Sequence, residues 1–230
     1  MLSLAVDTST MAGSLAILDN ERVLGVVGMA TEETYSSRLF RHLQFLLDEL
    51  SLALGNFDLF SVAAGPGSFT GLRVGLAAVK GWAEVFGKPV AAASVLEAAA
   101  SLAASPEPLL VCVLDARRGQ VFGAVYEKRD RVPVLRGEEV VLAPEEFLAS
   151  LKEATGDEPF ALVTPTPEAI EPWLLQSAYR HRPVERISSI LAPAIGRLGY
   201  RQALRGDTVD SLRLDANYIR RSDAEVKWKD

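Results

Sequence analysis

The sequence is poor in the residue types that most often carry metal and redox chemistry. In 230 residues it holds one cysteine, Cys112, and two histidines, His42 and His181. A single cysteine excludes an internal disulfide. Its setting in the apolar run LLVCVLD fits a small buried hydrophobe rather than a reactive thiol, which needs an exposed, electropositive site. The two histidines are far apart, and no HxxxH or HExxH spacing exists to hold zinc, so no metal site is expected. No combination of nucleophile, base and metal for a peptidase is present either, and no catalytic residue is assigned. Positive charge is also short. Against 30 Asp and Glu stand 24 Lys and Arg, a net charge of −6. Phosphate binding rests on clustered cations, so this is no dedicated nucleic-acid binder, and any nucleic acid would be gripped mainly by another subunit. No uninterrupted apolar run approaches the roughly 20 residues of a bilayer span. The opening MLSLAVDTST has no basic stretch and reaches an acidic residue at Asp7, so no secretory leader and a cytoplasmic address are expected.

What is present is the patterning of an α/β protein. Apolar residues make up 49% of the chain and charged residues 23%, enough for a sizeable core divided between two lobes. Residues 2–7, 14–18 and 22–30 read as a β-meander with a tight turn at Asp19-Asn20. Leu39, Leu43, Leu46, Leu47 and Leu50 recur at helical spacing, which predicts an amphipathic helix over 36–50. A strand at 59–64, a second helix over 71–86, a strand at 89–93 and a helix opened by Ser94 and Glu97 complete the first lobe. Two prolines in Ser105-Pro106-Glu107-Pro108 mark a linker, giving lobes of 1–106 and 107–230. In the second lobe a helix opens at Pro144, a strand covers 160–164, a short helix lies near 167–176 and a longer one at 191–204. That last helix is free to pack back on the first lobe. The tail carries Arg220, Arg221, Lys227 and Lys229 and reads as a mobile end.

The most informative pattern is an echo across the linker. LSLAVD, a turn and SLAIL are matched by LLVCVLD, a turn and QVFGAVY, the signature of a duplicated domain. Two such hairpins facing each other would set Asp7 and Asp115 at one cleft, a place for a phosphate or a metal-phosphate. Strand ends also carry Asp because its side chain caps turns, and both readings stand.

The loop GPGSFTGLRVG, Gly65 to Gly75, joins a strand to a helix and would offer backbone N–H groups to an anion. It is not a Walker A loop, because Leu72 stands where the lysine belongs. It also misses the dinucleotide fingerprint, which needs glycine at Thr70. Gly71, Gly75, Ala78 and Trp82 fall at helical spacing and leave one helix face nearly bare. That face would pack either on its own sheet or against a partner chain, and close packing at a joint with another subunit is the preferred reading.

DTST at the first turn, the helix ending LLDEL, GPGSFTGLRVG, LDARRGQVF and YIRRSDAEVKW together resemble the bacterial TsaB family, also called YeaZ, over nearly the whole chain. The resemblance implies an actin-like fold of the sugar-kinase/Hsp70/actin type, with two lobes that each begin with a β-meander in a mixed sheet flanked by helices. It implies a non-catalytic, accessory role in making threonylcarbamoyladenosine at adenosine 37 of tRNA, beside a TsaD-type catalytic subunit and a TsaE-type ATPase. It implies contact with TsaD through the two first-lobe helices, self-pairing through the same surface when TsaD is absent, and tRNA contact only within the complex. The interface residues expected on those helices are Arg38, Leu39, His42, Leu43, Leu46, Thr70, Gly71, Arg73, Val74, Gly75 and Ala78. Weak phosphate contacts at most are expected from Asp7, Thr8, Ser9, Thr10, Asp115 and Arg118, and no cofactor. FALVTPTP at 160–167 places prolines where an actin-like site would need glycines to admit adenosine. Tyr35 stands where relatives often carry His. The alternative reading is an ATP-hydrolysing, kinase-type enzyme using Asp7 and Asp115 around Mg²⁺.

Overall fold

The structure, a computed structural model, describes residues 1–29, 35–130 and 132–219. The chain forms two compact units, one of Met1–Val95 with Ile190–Tyr218 and one centred on Leu96–Ser189. The proline pair at 106 and 108 thus falls inside the second unit, and the last helix belongs to the first.

In the first unit β1 (Leu2–Asp7), β2 (Ser14–Asp19) and β3 (Arg22–Gly28) make an antiparallel meander. Strand β4 (Leu59–Gly65) then runs parallel to β1, and β5 (Val90–Ser94) parallel to β4, giving the order β3-β2-β1-β4-β5. All seven residues of β4 are buried. An apolar run without alternation is what a parallel strand covered on both faces requires. Helices α1 (Tyr35–Leu50) and α2 (Phe69–Phe86) lie on the face that carries Leu4 and Val6. The leucine stripe of α1 is buried as its spacing predicts. The helix Ala192–Arg205, numbered α6, covers the opposite face, where Gly196 and Gly199 lie against Leu18 and Ser61.

The second unit repeats the plan. After α3 (Val95–Ser101), strands β6 (Leu109–Arg117), β7 (Gln120–Arg129) and β8 (Val132–Leu142) form a meander. Helix α4 (Pro144–Thr155), β9 (Phe160–Thr164), α5 (Glu171–Leu174) and β10 (Val184–Arg186) follow, with β9 parallel to β6 and β10 parallel to β9. The order β10-β9-β6-β7-β8 is the order of the first sheet. The echo of hairpins in the sequence therefore extends to whole sheets. Leu109, Val111 and Val113 project from one side of β6 into a core with Phe147, Leu151, Phe160 and Leu162.

Candidate functional site

Asp7 ends β1 and is fully buried. Its Oδ1 accepts hydrogen bonds from the Ser9 amide at 2.9 Å and the Ser9 hydroxyl at 2.6 Å, while Oδ2 has no hydrogen-bond partner among the described residues. Burial pushes the Asp7 carboxyl up to about 6, with the two Ser9 bonds pulling the other way. The neighbouring Thr8 hydroxyl is buried and unpartnered as well. Thr10 turns its hydroxyl to the Ala12 amide at 3.3 Å.

The glycine loop closes over this turn from above. The Ser68 amide donates to the Ser9 carbonyl at 2.7 Å, Gly71 to the Ser68 hydroxyl at 3.3 Å, and Leu72 to the Ser68 carbonyl at 2.8 Å. Two donors at the start of α2, the Ser68 and Gly71 amides, are therefore spent within the chain, while the Leu72 bond is the first of the helix itself. A Cβ at Gly71 would meet the Thr8 carbonyl, and one at Gly75 the Thr8 hydroxyl. The bare face of α2 is filled by its own chain's first turn. A phosphate at a helix N-terminus is held by its free amides, and here the Ser68 and Gly71 amides are already taken.

The expected interface residues divide by exposure. Arg38, Leu39, His42, Leu43, Leu46, Gly71 and Gly75 are buried, Val74 and Ala78 are half-buried, and Thr70 and Arg73 are exposed. Arg38 donates to the Met29 carbonyl at 3.0 Å and the Met11 carbonyl at 3.1 Å, an internal clamp at the start of α1. The outward side of α1 instead presents Phe40, 57% exposed, and Phe45, 54% exposed. Phe40 meets Trp82 of α2 edge-on, 6.2 Å between centroids. Two phenylalanines off the leucine stripe, where charge is ordinary, were the legible signal of an adhesive surface. Arg220, Arg221, Lys227 and Lys229 lie outside the described residues, as do residues 30–34 and the side chain of Tyr35.

In the second unit Asp115 accepts from the Arg117 amide at 2.7 Å and faces the Arg117 guanidinium at 3.6 Å. Arg117, Arg118 and Gly119 all adopt positive φ, at 61°, 56° and 70°, to turn β6 into β7. Beside this turn is a cavity of about 350 Å³ lined in part by Asp115, Gln120, Thr166, Glu168 and Trp173. Two carboxylates in that lining oppose a phosphate. Among the described residues no three His, Cys, Asp or Glu side chains gather as a metal site needs, and no helix is long and apolar enough to cross a membrane.

Comparison with known proteins gives three kinds of likeness. A family model described as TsaD: tRNA N6-adenosine threonylcarbamoyltransferase matches residues 15–165. The chain is 32% identical over 155 residues to the tRNA threonylcarbamoyladenosine biosynthesis protein TsaB of Bacillus subtilis, covering 66% of this chain and 67% of that one. Among solved structures, YeaZ from Pseudomonas aeruginosa superposes with a TM-score of 0.77 at 28% identity, covering 94% of this chain and 99% of that one. A ROK hexokinase from Thermus thermophilus, at a TM-score of 0.52 and 17% identity, covers 88% of this chain and 100% of that one. The hexokinase shares the fold alone, which is that of the actin-like sugar kinases.

Proposed function

The chain belongs to the TsaB family, and from that membership we propose that it serves threonylcarbamoyladenosine formation on tRNA as an accessory subunit that binds and activates a TsaD-type catalytic subunit. The observation that carries the non-catalytic reading is the closed Asp7 turn. Its carboxylate is buried, one oxygen is held by Ser9, and the Ser68 and Gly71 amides of the adjoining loop are paired inside the chain. A kinase-type reaction through Asp7 and Asp115 has no comparable support.

The partner surface is the outward side of α1 and α2, with Phe40, Phe45, Thr70 and Arg73 as contacts and Val74 and Ala78 at its margin. Exposed aromatics together with an arginine have the composition of a protein interface. The buried leucines, Arg38, His42, Gly71 and Gly75 support that surface from beneath. The same side serves self-pairing when the catalytic subunit is absent. A TsaE-type ATPase joins the pair, and tRNA is held through the complex.

Purified chain, TsaD-type subunit, TsaE-type subunit, tRNA, ATP and threonylcarbamoyl-AMP are combined with one component omitted at a time, and the modified nucleoside is measured by chromatography of digested tRNA. The chain alone should give none, and its omission should abolish the product. Modification by the chain alone would overturn the accessory role.

A further inference from the structure

Beyond α6 the chain does not leave the first unit at once. Val209 exchanges two backbone hydrogen bonds with Val90, at 2.9 and 2.8 Å, on the outer edge of β5. The Ser211 hydroxyl donates to Glu84 of α2, and Leu214 is buried at 1% exposure. The Asn217 amide then donates to the Ala64 carbonyl at 2.7 Å. Its carbonyl lies 2.6 Å from where a Cβ at Gly65 would stand, so glycine is required at 65, where φ is +123°, on grounds of space as well. Tyr218 ends the path, its ring 5.0 Å from that of Phe69 and its hydroxyl 3.3 Å from Nε of Arg73. Arg73 in turn stacks on Phe69 at 3.7 Å. A segment without regular structure has thus bound both ends of the glycine loop, at Ala64–Gly65 and at the first turn of α2.

We infer that residues 207–218 are a latch: by lying on Gly65 and joining the Phe69–Arg73 stack, this segment holds the glycine loop closed over the Thr8–Ser9 turn, and displacing Tyr218 releases that loop. The closing end lies near the surface. Tyr218 is 40% exposed, and its ring stack on Phe69, its hydrogen bond from Arg73 and the adjoining Asn217 amide bond are among the contacts that hold it. Segments of irregular structure held at the surface open locally, well below the free energy of global unfolding. The latch therefore gives anything that captures the C-terminal segment a mechanical route to α2 and to the Asp7 turn, whatever the chain's partner.

Amide hydrogen exchange of the full chain tests this, comparing wild type with Tyr218→Ala, Asn217→Pro and a chain lacking residues 220–230. The first two should speed exchange within residues 66–75 by about tenfold or more and leave β1, β2 and β4 at the wild-type rate. The shortened chain should match wild type in the loop. Unchanged loop exchange in both substituted chains would overturn the latch. So would acceleration spread evenly over the first unit, or acceleration produced by removing 220–230 alone.

Discussion

The position a Cβ would take at Gly71 lies 2.0 Å from the carbonyl oxygen of Thr8, closer than any real contact. At Gly75 the same test meets the Thr8 hydroxyl at 2.4 Å. A carbonyl is fixed by the backbone, whereas a hydroxyl can rotate away. Gly71→Ala should therefore destabilise the first unit by about 3 kcal/mol and Gly75→Ala by about 1 kcal/mol. Urea unfolding monitored by circular dichroism gives both values, and equal costs would contradict the distinction.

Asp7 makes stability depend on pH with a sign opposite to that of a salt-bridged carboxylate. Its pKa in the folded chain, about 6, stands above the ordinary 3.8 because burial disfavours the charge. The folded state therefore binds more protons than the unfolded state between those values. Stability falls as pH rises through that window, by on the order of 3 kcal/mol. Asp7→Asn keeps an acceptor for Ser9 and removes the titration. The variant should match wild type near pH 4 and exceed it increasingly up to pH 7. A pH-independent difference would exclude this account.

The outward face of α1 should be separable from the fold. Phe45→Glu places charge at an exposed position and should leave the melting temperature nearly unchanged while weakening the TsaD-type partner's binding about tenfold or more. Calorimetric titration measures the affinity. By contrast, Gly75→Glu would disrupt the chain's own packing on Thr8, so its failure to bind says nothing about the interface.

Cys112 is fully buried in β6, and its thiol is pushed well above the ordinary range, chiefly by that burial, with Glu185 and Glu139 adding to it. A thiolate is the reactive form. The native chain should consume no aromatic disulfide reagent over hours at pH 8, and one equivalent once denatured. Rapid labelling of the native protein would show that the second unit opens locally.

These cases also mark how far the sequence could be read. The meander, the stripe of α1 and the strand-to-helix position of the glycine loop follow from short-range periodicity, and the structure keeps them. The duplication was visible at Asp7 and Asp115 because both hairpins are apolar. It faded at β8, where Pro133, Gly137 and the pair Glu138-Glu139 interrupt the alternation of a strand. β10, three residues long, carries no pattern of its own. What Gly71 and Gly75 face was not legible, since spacing shows that a helix side is bare but not which part of the chain fills it. Nor was the strap at 207–218, whose contacts with Val90, Ala64 and Phe69 are long-range and mostly backbone.

Trp82, 9% exposed, touches both Phe40 on the outward side of α1 and Phe60 in β4, while Trp173 lines the cavity of the second unit. Each unit thus carries its own fluorophore in a distinct environment. In a chain with Trp228 replaced by Phe, Trp173→Phe leaves emission that reports the first unit alone, and Trp82→Phe leaves the second. Duplicated halves of one chain can in this way be watched losing their structure together or in sequence, by colour alone.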